Sequence, residues 1–121
     1  MSNKNKTVTT SSLPTIVGEL DADQIAKLKE EHGVKKLNTI KVQVNENEQA
    51  IAYLKPVDRF IKGKMLKMMP TEGVLKAGLF YLQNSFVGGD PRIQTDETIA
   101  DSAALACNDL IDIYETETGE V

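Results

Sequence analysis

Two consecutive strand-like segments near the middle of the chain constrain its fold more than any other feature. Ile40, Val42 and Val44 alternate with polar residues, which is the period of a half-buried β-strand. After the polar residues 45–48, residues 49–54 have the composition of a returning strand. The Asn-Gly pair of a two-residue turn is missing, so we expect a four-residue loop. Because an isolated hairpin is only marginally stable in water, it must pack on helices or pair with another chain.

Helical signals fill much of the remaining chain. Asp21 is followed three residues later by Gln24, which is the capping-box spacing of a helix start, and Gly33 suits the end of this short polar helix. Pro56 favours the first turn of a second helix. Apolar residues follow helical spacing from there towards Pro70, which we expect to end the helix.

Two further helices are predicted in the second half of the chain. One begins at residues 71–72 and is densely apolar up to Phe86, so we expect a central core helix or an oligomer interface. The other begins near Thr95 or Asp96 and extends to about Glu115. Its inward stripe consists of Ile99, Ala103, Ala106, Cys107, Leu110, Ile113 and Tyr114, and the alanines (including Ala100 and Ala104) permit close helix approach. We expect Asp101, Asn108, Asp109 and Asp112 to face solvent.

Taken together, these patterns predict a single α+β domain over residues 19–121. It consists of a β-hairpin packed against three helices, preceded by a short helix. Residues 1–18 are polar and lack periodicity, so we expect a flexible N-terminal arm, and no apolar segment makes a signal peptide of it. No run of about 18 apolar residues exists, so we expect no membrane span and a cytoplasmic location.

The stretch from Asn84 to Glu97 joins the two apolar helices. We interpret Gly88 and Gly89 as a helix stop with a left-handed glycine, and Asp90-Pro91 as the turn that follows. A phosphate-binding loop is the alternative, but the lysine of that motif is missing. The carboxylates of this stretch do not have the spacing of a calcium-binding loop.

Charge is distributed unevenly along the chain. Residues 1–54 are neutral overall, residues 55–89 carry a net charge of +4 and residues 90–121 one of −8. This asymmetry is typical of a basic patch and an acidic tail with different partners, of two helices that attract each other, or of ordinary solvated surfaces. The overall pI near 5.0 and the absence of a nucleic-acid-binding motif argue against nucleic acid as a partner.

The reactive side chains are few. Cys107 is the only cysteine and His32 the only histidine, so an intrachain disulfide is impossible and a zinc site is not expected. Cys107 lies in an apolar stripe, as buried cysteines do. We therefore predict a protein that is not an enzyme, with no catalytic residues, cofactor or metal.

A cluster of methionines in the second helix suggests a different kind of site. Met65, Met68 and Met69 lie close together in the sequence. Methionine is flexible and polarizable, and clusters of it form adaptable peptide-binding surfaces. The alternative is that these side chains simply pack the core.

Several segments together resemble a known family. Residues 52–59 read Ala-Tyr-Leu-Lys-Pro-Val-Asp-Arg, Asn84 and the Val-Gly-Gly-Asp of residues 87–90 follow one helix later, and residues 93–96 read Ile-Gln-Thr-Asp. Over about residues 38–115 the chain is similar to small proteins of phage and prophage tail modules, and resembles tail assembly chaperones.

The resemblance implies a chaperone that binds a tail-tube or tape-measure protein before assembly and shields its apolar segments. The residues expected to bind the partner are Phe60, Met65, Met68, Met69, Leu79 and Phe80. Two alternatives stay open: a structural component of the particle, such as a head–tail connector or minor tail protein, and an acidic regulator that mimics or binds nucleic acid.

Overall fold

The computed structural model describes residues 13–111 and 116–121, and it confirms the predicted α+β fold. The elements in chain order are β1 (Thr15–Val17), α1 (Ala22–His32), β2 (Asn38–Asn45), β3 (Glu48–Leu54), α2 (Arg59–Glu72), α3 (Val74–Ser85), β4 (Phe86–Gly89), α4 (Arg92–Thr95) and α5 (Glu97–Cys107). A 3₁₀ turn over Asn108–Leu110 follows α5.

Strand β3 is the centre of a four-stranded sheet. It pairs with β2 in the predicted antiparallel hairpin, from Asn38 opposite Leu54 to Asn45 opposite Glu48. The other edge of β3 is shared by two short strands: β1 runs parallel to its first half, and β4 runs antiparallel to its second half. The sheet is therefore larger than the predicted hairpin, because two short segments from distant parts of the chain add to it.

The hairpin turn is tighter than predicted. Asn45 and Glu48 belong to the strands, so the four-residue loop is wrong and only residues 46–47 make the turn. The Asn45 side-chain oxygen accepts a hydrogen bond from the Asn47 backbone N–H at 2.8 Å. A register shift between Gln43 and Asn45 accompanies the turn. The Asn45 hydrogen bond and the register shift thus allow a two-residue turn without the Asn-Gly pair that is common in such turns.

Two of the sequence interpretations are wrong at the edge of β3. The N-terminal arm predicted over residues 1–18 includes β1, which pairs with β3; residues 1–12 lie outside the described part of the chain. Gly88 and Gly89 do not stop a helix either, because α3 ends at Ser85 and both glycines belong to β4. Strands this short carry no periodic signal, and only their pairing with β3 makes them strands.

Glycines allow the two short strands to meet. Gly18 has a φ of 93°, and a Cβ there would overlap the backbone nitrogen of Asp90. Gly89 has a φ of 120°, and a Cβ there would overlap the carbonyl oxygen of Ile51. That carbonyl accepts a hydrogen bond from the Asp90 N–H at 2.8 Å. The backbones approach so closely that a side chain has no room at either position.

Strand β3 is covered on both faces. Ala50, Ala52 and Leu54 of β3 lie in the main core with buried side chains of α2, α3, α4 and α5. The alternate residues Ile51 and Tyr53 point to the opposite face and are also buried. On that face, the Tyr53 hydroxyl accepts a hydrogen bond from the Leu20 N–H, just before α1.

The helix ends follow the sequence signals in most places. The Asp21–Gln24 capping box is formed and Gly33 ends α1 in the left-handed conformation, as predicted. The second helix begins at Arg59, with Asp58 as its cap, and not at Pro56 as predicted. It continues through Pro70 to Glu72, so residues 71–72 end α2 and the predicted start of the third helix there is wrong: α3 begins at Val74. The prediction that Pro70 ends this helix is wrong. Only the last helical turn follows the proline, and the helix ends at Gly73, which has a φ of 97°.

Helices α3 and α5 pack unusually close together. A Cβ at Gly78 would overlap the carbonyl oxygen of Ala104, so glycine is required at this crossing. The predicted close approach through alanines of the last helix is confirmed at Ala104. Asn108 does not face solvent as predicted, because its side-chain amide donates to the carbonyl of Val74 at 3.1 Å.

The last helix is shorter than predicted. It begins after Asp96, whose carboxylate caps it as expected, and its α-helical part ends at Cys107. Residues 112–115 lie outside the described part of the chain, so the predicted positions of Asp112, Ile113, Tyr114 and Glu115 are not tested. Within the described residues, none of the helices has the length and apolar character required to cross a membrane.

Candidate protein-binding surface

Helices α2 and α3 form an antiparallel hairpin joined by Gly73. Its inner side is fixed in the core by Ile61 and Met65 of α2 and by Ala77, Tyr81 and Leu82 of α3. Its outer side carries a surface formed by Phe60, Lys64, Lys67, Met68, Thr71 and Phe80, which we name the α2–α3 groove. Because Phe60, Lys64 and Met68 are four residues apart, they lie along one side of α2.

Phe60 is the most exposed aromatic side chain of the groove, with 66% of its surface accessible. The ammonium nitrogen of Lys64 lies 5.8 Å from the centroid of the ring, within the range of a cation–π contact. Phe60 borders a depression of about 410 Å³ that also reaches Lys55, Asn84 and Ser85. At this end, the surface is an aromatic ring surrounded by polar and basic groups.

The other end of the groove is more apolar. A depression of about 320 Å³ lies between Met68 and Phe80, with Lys64, Lys67, Thr71 and Glu72 around it. Met68 and Phe80 are half-buried and pack against the core with their inner parts. Their positions are therefore fixed, while part of each side chain remains open to solvent.

The structure separates the six predicted partner-binding residues. Met68 and Phe80 line the same depression of the groove, whereas Phe60 lies eight residues before Met68 on α2 and borders the other depression. Met69 and Leu79 are half-buried against the core and line neither depression. Met65 is fully buried, so its prediction as an adaptable contact is wrong: the helical spacing that places Met68 at the surface turns Met65 inward.

The groove carries positive charge. Arg59, Lys64 and Lys67 are exposed on α2. Ion pairs join Arg92 to Asp90 and to Glu48, outside the groove.

The Asp90–Arg92 pair is a structural feature that the sequence did not reveal. Asp90 is only 1% exposed, and its carboxylate accepts hydrogen bonds from the Arg92 backbone N–H and from two guanidinium nitrogens, the shortest at 2.7 Å. These side-chain hydrogen bonds hold the pKa of Asp90 below its usual value. Arg92 also reaches Glu48 at the start of β3, at 3.3 Å. The sequence Asp90-Pro91-Arg92 could have indicated this ion pair, because the side chains of residues two apart can meet across a turn.

In contrast to Asp90, the buried Cys107 and Tyr81 have surroundings that favour their neutral forms. Burial raises the pKa of Cys107 to about 12, as expected of a packed cysteine. Burial also raises the pKa of Tyr81 to about 12, and its hydroxyl donates to the Lys55 carbonyl and accepts from the Asn38 amide. Tyr81 thus ties α3 to the segment that leads into α2.

The described residues contain no cluster of three or more histidine, cysteine, aspartate or glutamate side chains arranged to hold a metal ion. The α2–α3 groove presents an exposed aromatic ring, a thioether and lysine ammonium groups on two packed helices. These groups can form non-covalent contacts with a partner. In comparisons with known families, curated proteins and solved structures, this chain matches none of them.

Proposed function

We propose that this protein is a non-catalytic protein-binding factor of the host-cell cytoplasm, similar in role to the phage tail assembly chaperones that its sequence resembles. The observation that supports this proposal is the α2–α3 groove. Phe60 is largely exposed on a helix whose other side is anchored by the fully buried Met65. An exposed aromatic ring beside lysines and a methionine is typical of a contact surface.

The groove suits a chaperone because it is preformed. Ile61 and Met65 hold α2 from within, so a partner does not need to order this helix when it binds. An apolar partner segment would cover Phe60, Met68 and Phe80 and would itself be shielded from water.

Co-expression with phage tail-tube and tape-measure proteins tests this function. We expect one of them to co-purify with the chain, and Phe60→Ser to weaken that complex about tenfold or more because it removes the exposed anchor. Leu105→Ser is the matched control, since Leu105 is 50% exposed on α5, away from the groove.

The outcome separates the proposed role from its alternatives. Equal loss of binding in both variants, or binding that survives Phe60→Ser, would remove the groove from the proposal. If neither tail protein binds the wild-type chain, the chaperone role is wrong. Mass spectrometry of purified particles distinguishes a chaperone, which is absent from them, from a structural component, which is retained.

A further inference from the structure

The shape and charge of the α2–α3 groove point to a particular kind of partner segment. We propose that the groove binds an acidic amphipathic helix of the partner protein. This inference rests on the proposed function, because it assumes that the groove is the protein-binding surface. It adds the chemistry by which the partner is recognised.

The spacing of the apolar contacts fits a helix. Phe60 and Met68 are eight residues apart on α2, which places them about 12 Å apart along the axis. An amphipathic helix presents apolar side chains at positions i, i+4 and i+7 or i+8, over nearly the same length. Phe80 of α3 forms the second wall beside Met68. A helix lying in a groove between two helices is a common mode of peptide recognition.

The charges around the groove select an acidic helix. Lys64 lies between the two apolar ends, Lys67 borders the Phe80 depression and Lys55 borders the Phe60 depression. The acidic groups are fewer. Asp58 uses one carboxylate oxygen to cap α2 by accepting from the Ile61 N–H, and Glu72 lies at the far end. Carboxylates beside the apolar stripe of a partner helix would meet ammonium groups, whereas lysines there would be repelled.

The distribution of charge favours protein over nucleic acid. A polyphosphate ligand is bound mainly by cations and is repelled by acidic surroundings. Residues 90–121 carry a net charge of −8 and the whole chain −4. Single-stranded nucleic acid also requires several exposed rings for base stacking, and of the groove's two rings Phe80 is half-buried. Methionine and threonine form the rest of the surface between the lysines.

Three labelled peptides of about 18 residues test the inference, that length being sufficient for a helix to form on binding. One has leucine at i, i+4 and i+7 with glutamate on its flanks; the second replaces each glutamate by lysine; the third replaces each leucine by serine. Measured by fluorescence anisotropy on the full chain, we expect the acidic amphipathic peptide to bind about tenfold or more tightly than either control. Binding should weaken as salt is added.

Matched charge reversals locate the site. We expect Lys64→Glu to weaken binding of the acidic peptide about tenfold. Lys41→Glu makes the same change of charge on the exposed face of β2, outside the groove, and should change it about twofold or less. Phe60→Ala should weaken binding of the same peptide, and circular dichroism on each variant checks that the fold is retained.

The inference is overturned if the lysine peptide binds as tightly as the acidic one, if Lys41→Glu has the effect of Lys64→Glu, or if unlabelled oligothymidine displaces the labelled acidic peptide. Failure here is distinguishable from failure of the proposed function. If a tail protein co-purifies in a Phe60-dependent way while the acidic peptide does not bind, the function stands and the partner chemistry is wrong. If neither binds, both are wrong.

Discussion

The junction of β1 and β4 on strand β3 and the α2–α3 groove use their side chains in opposite ways. At the junction, glycines allow close backbone contact, and the buried Asp90 carboxylate has hydrogen-bond partners from Arg92. In the groove, Phe60 extends into solvent, and Lys64 and Lys67 are exposed. At the junction, the buried polar groups have hydrogen-bond partners within the chain, so the junction stabilises the fold. In the groove, apolar surface remains accessible to another molecule.

The largest expected effect tests whether the junction depends on glycine. We expect Gly89→Ala to lower the free energy of unfolding by about 3 kcal/mol or more, because a Cβ at this positive φ would overlap the Ile51 carbonyl. Urea unfolding measures it. Gly88→Ala is the control: its Cβ would meet only the flexible ends of Leu20 and Leu28, at 3.3 Å, and should cost about 1 kcal/mol or less. Equal losses in the two variants would contradict the assigned strand.

A second prediction compares the two sides of α2. Met65→Ala should lower the free energy of unfolding by about 3 kcal/mol because it leaves a cavity in the core. Phe60→Ala should change it by about 0.5 kcal/mol or less, because most of the ring is already in water. Thermal or urea unfolding of both variants provides the measurement. A large loss in the Phe60 variant would show that the ring supports the fold, and would weaken the case for a binding surface.

The smallest effect concerns the response of the junction to acid. Because Arg92 lowers the pKa of Asp90 in the folded state, the pair stabilises the fold above the unfolded-state pKa, and this contribution is lost as the pH falls through the folded-state pKa. The wild-type chain should lose part of its free energy of unfolding below about pH 5 as Asp90 is protonated, and the Asp90→Asn variant should not show this part of the loss. At neutral pH the variant should be about 2 kcal/mol less stable, since buried charge-assisted hydrogen bonds are lost. Urea midpoints between acid and neutral pH test both statements, and an unchanged acid profile would contradict them.

Local signals predicted much of the fold. The capping box at Asp21 and Gln24, the cap at Asp96 and the alternation of Ile40, Val42 and Val44 all depend on residues a few positions apart. The caps form wherever a helix begins at these residues, and the alternation places side chains on opposite faces wherever the chain is extended. The sequence therefore indicates these elements without knowledge of what they contact.

The errors arise where distant segments meet. Phe86–Gly89 reads as a helix stop until β3 pairs with it, and Pro70 reads as a helix end although α2 accommodates it in the last turn. The candidate site shows the same limit. Phe60, Met65 and Met68 have similar apolar character in the sequence, and only the packing of α2 on the core shows that Met65 is buried and Phe60 is exposed.

By itself, the sequence determined the fold class, the hairpin and the starts of α1 and α5, because these follow from hydrogen bonds and apolar periodicity within short segments. Tertiary structure alone decided that two short strands extend the sheet, that Asp90 is buried against Arg92, and which side of α2 is open. These features depend on contacts between residues that are far apart in the chain. Such contacts form only when the whole core closes.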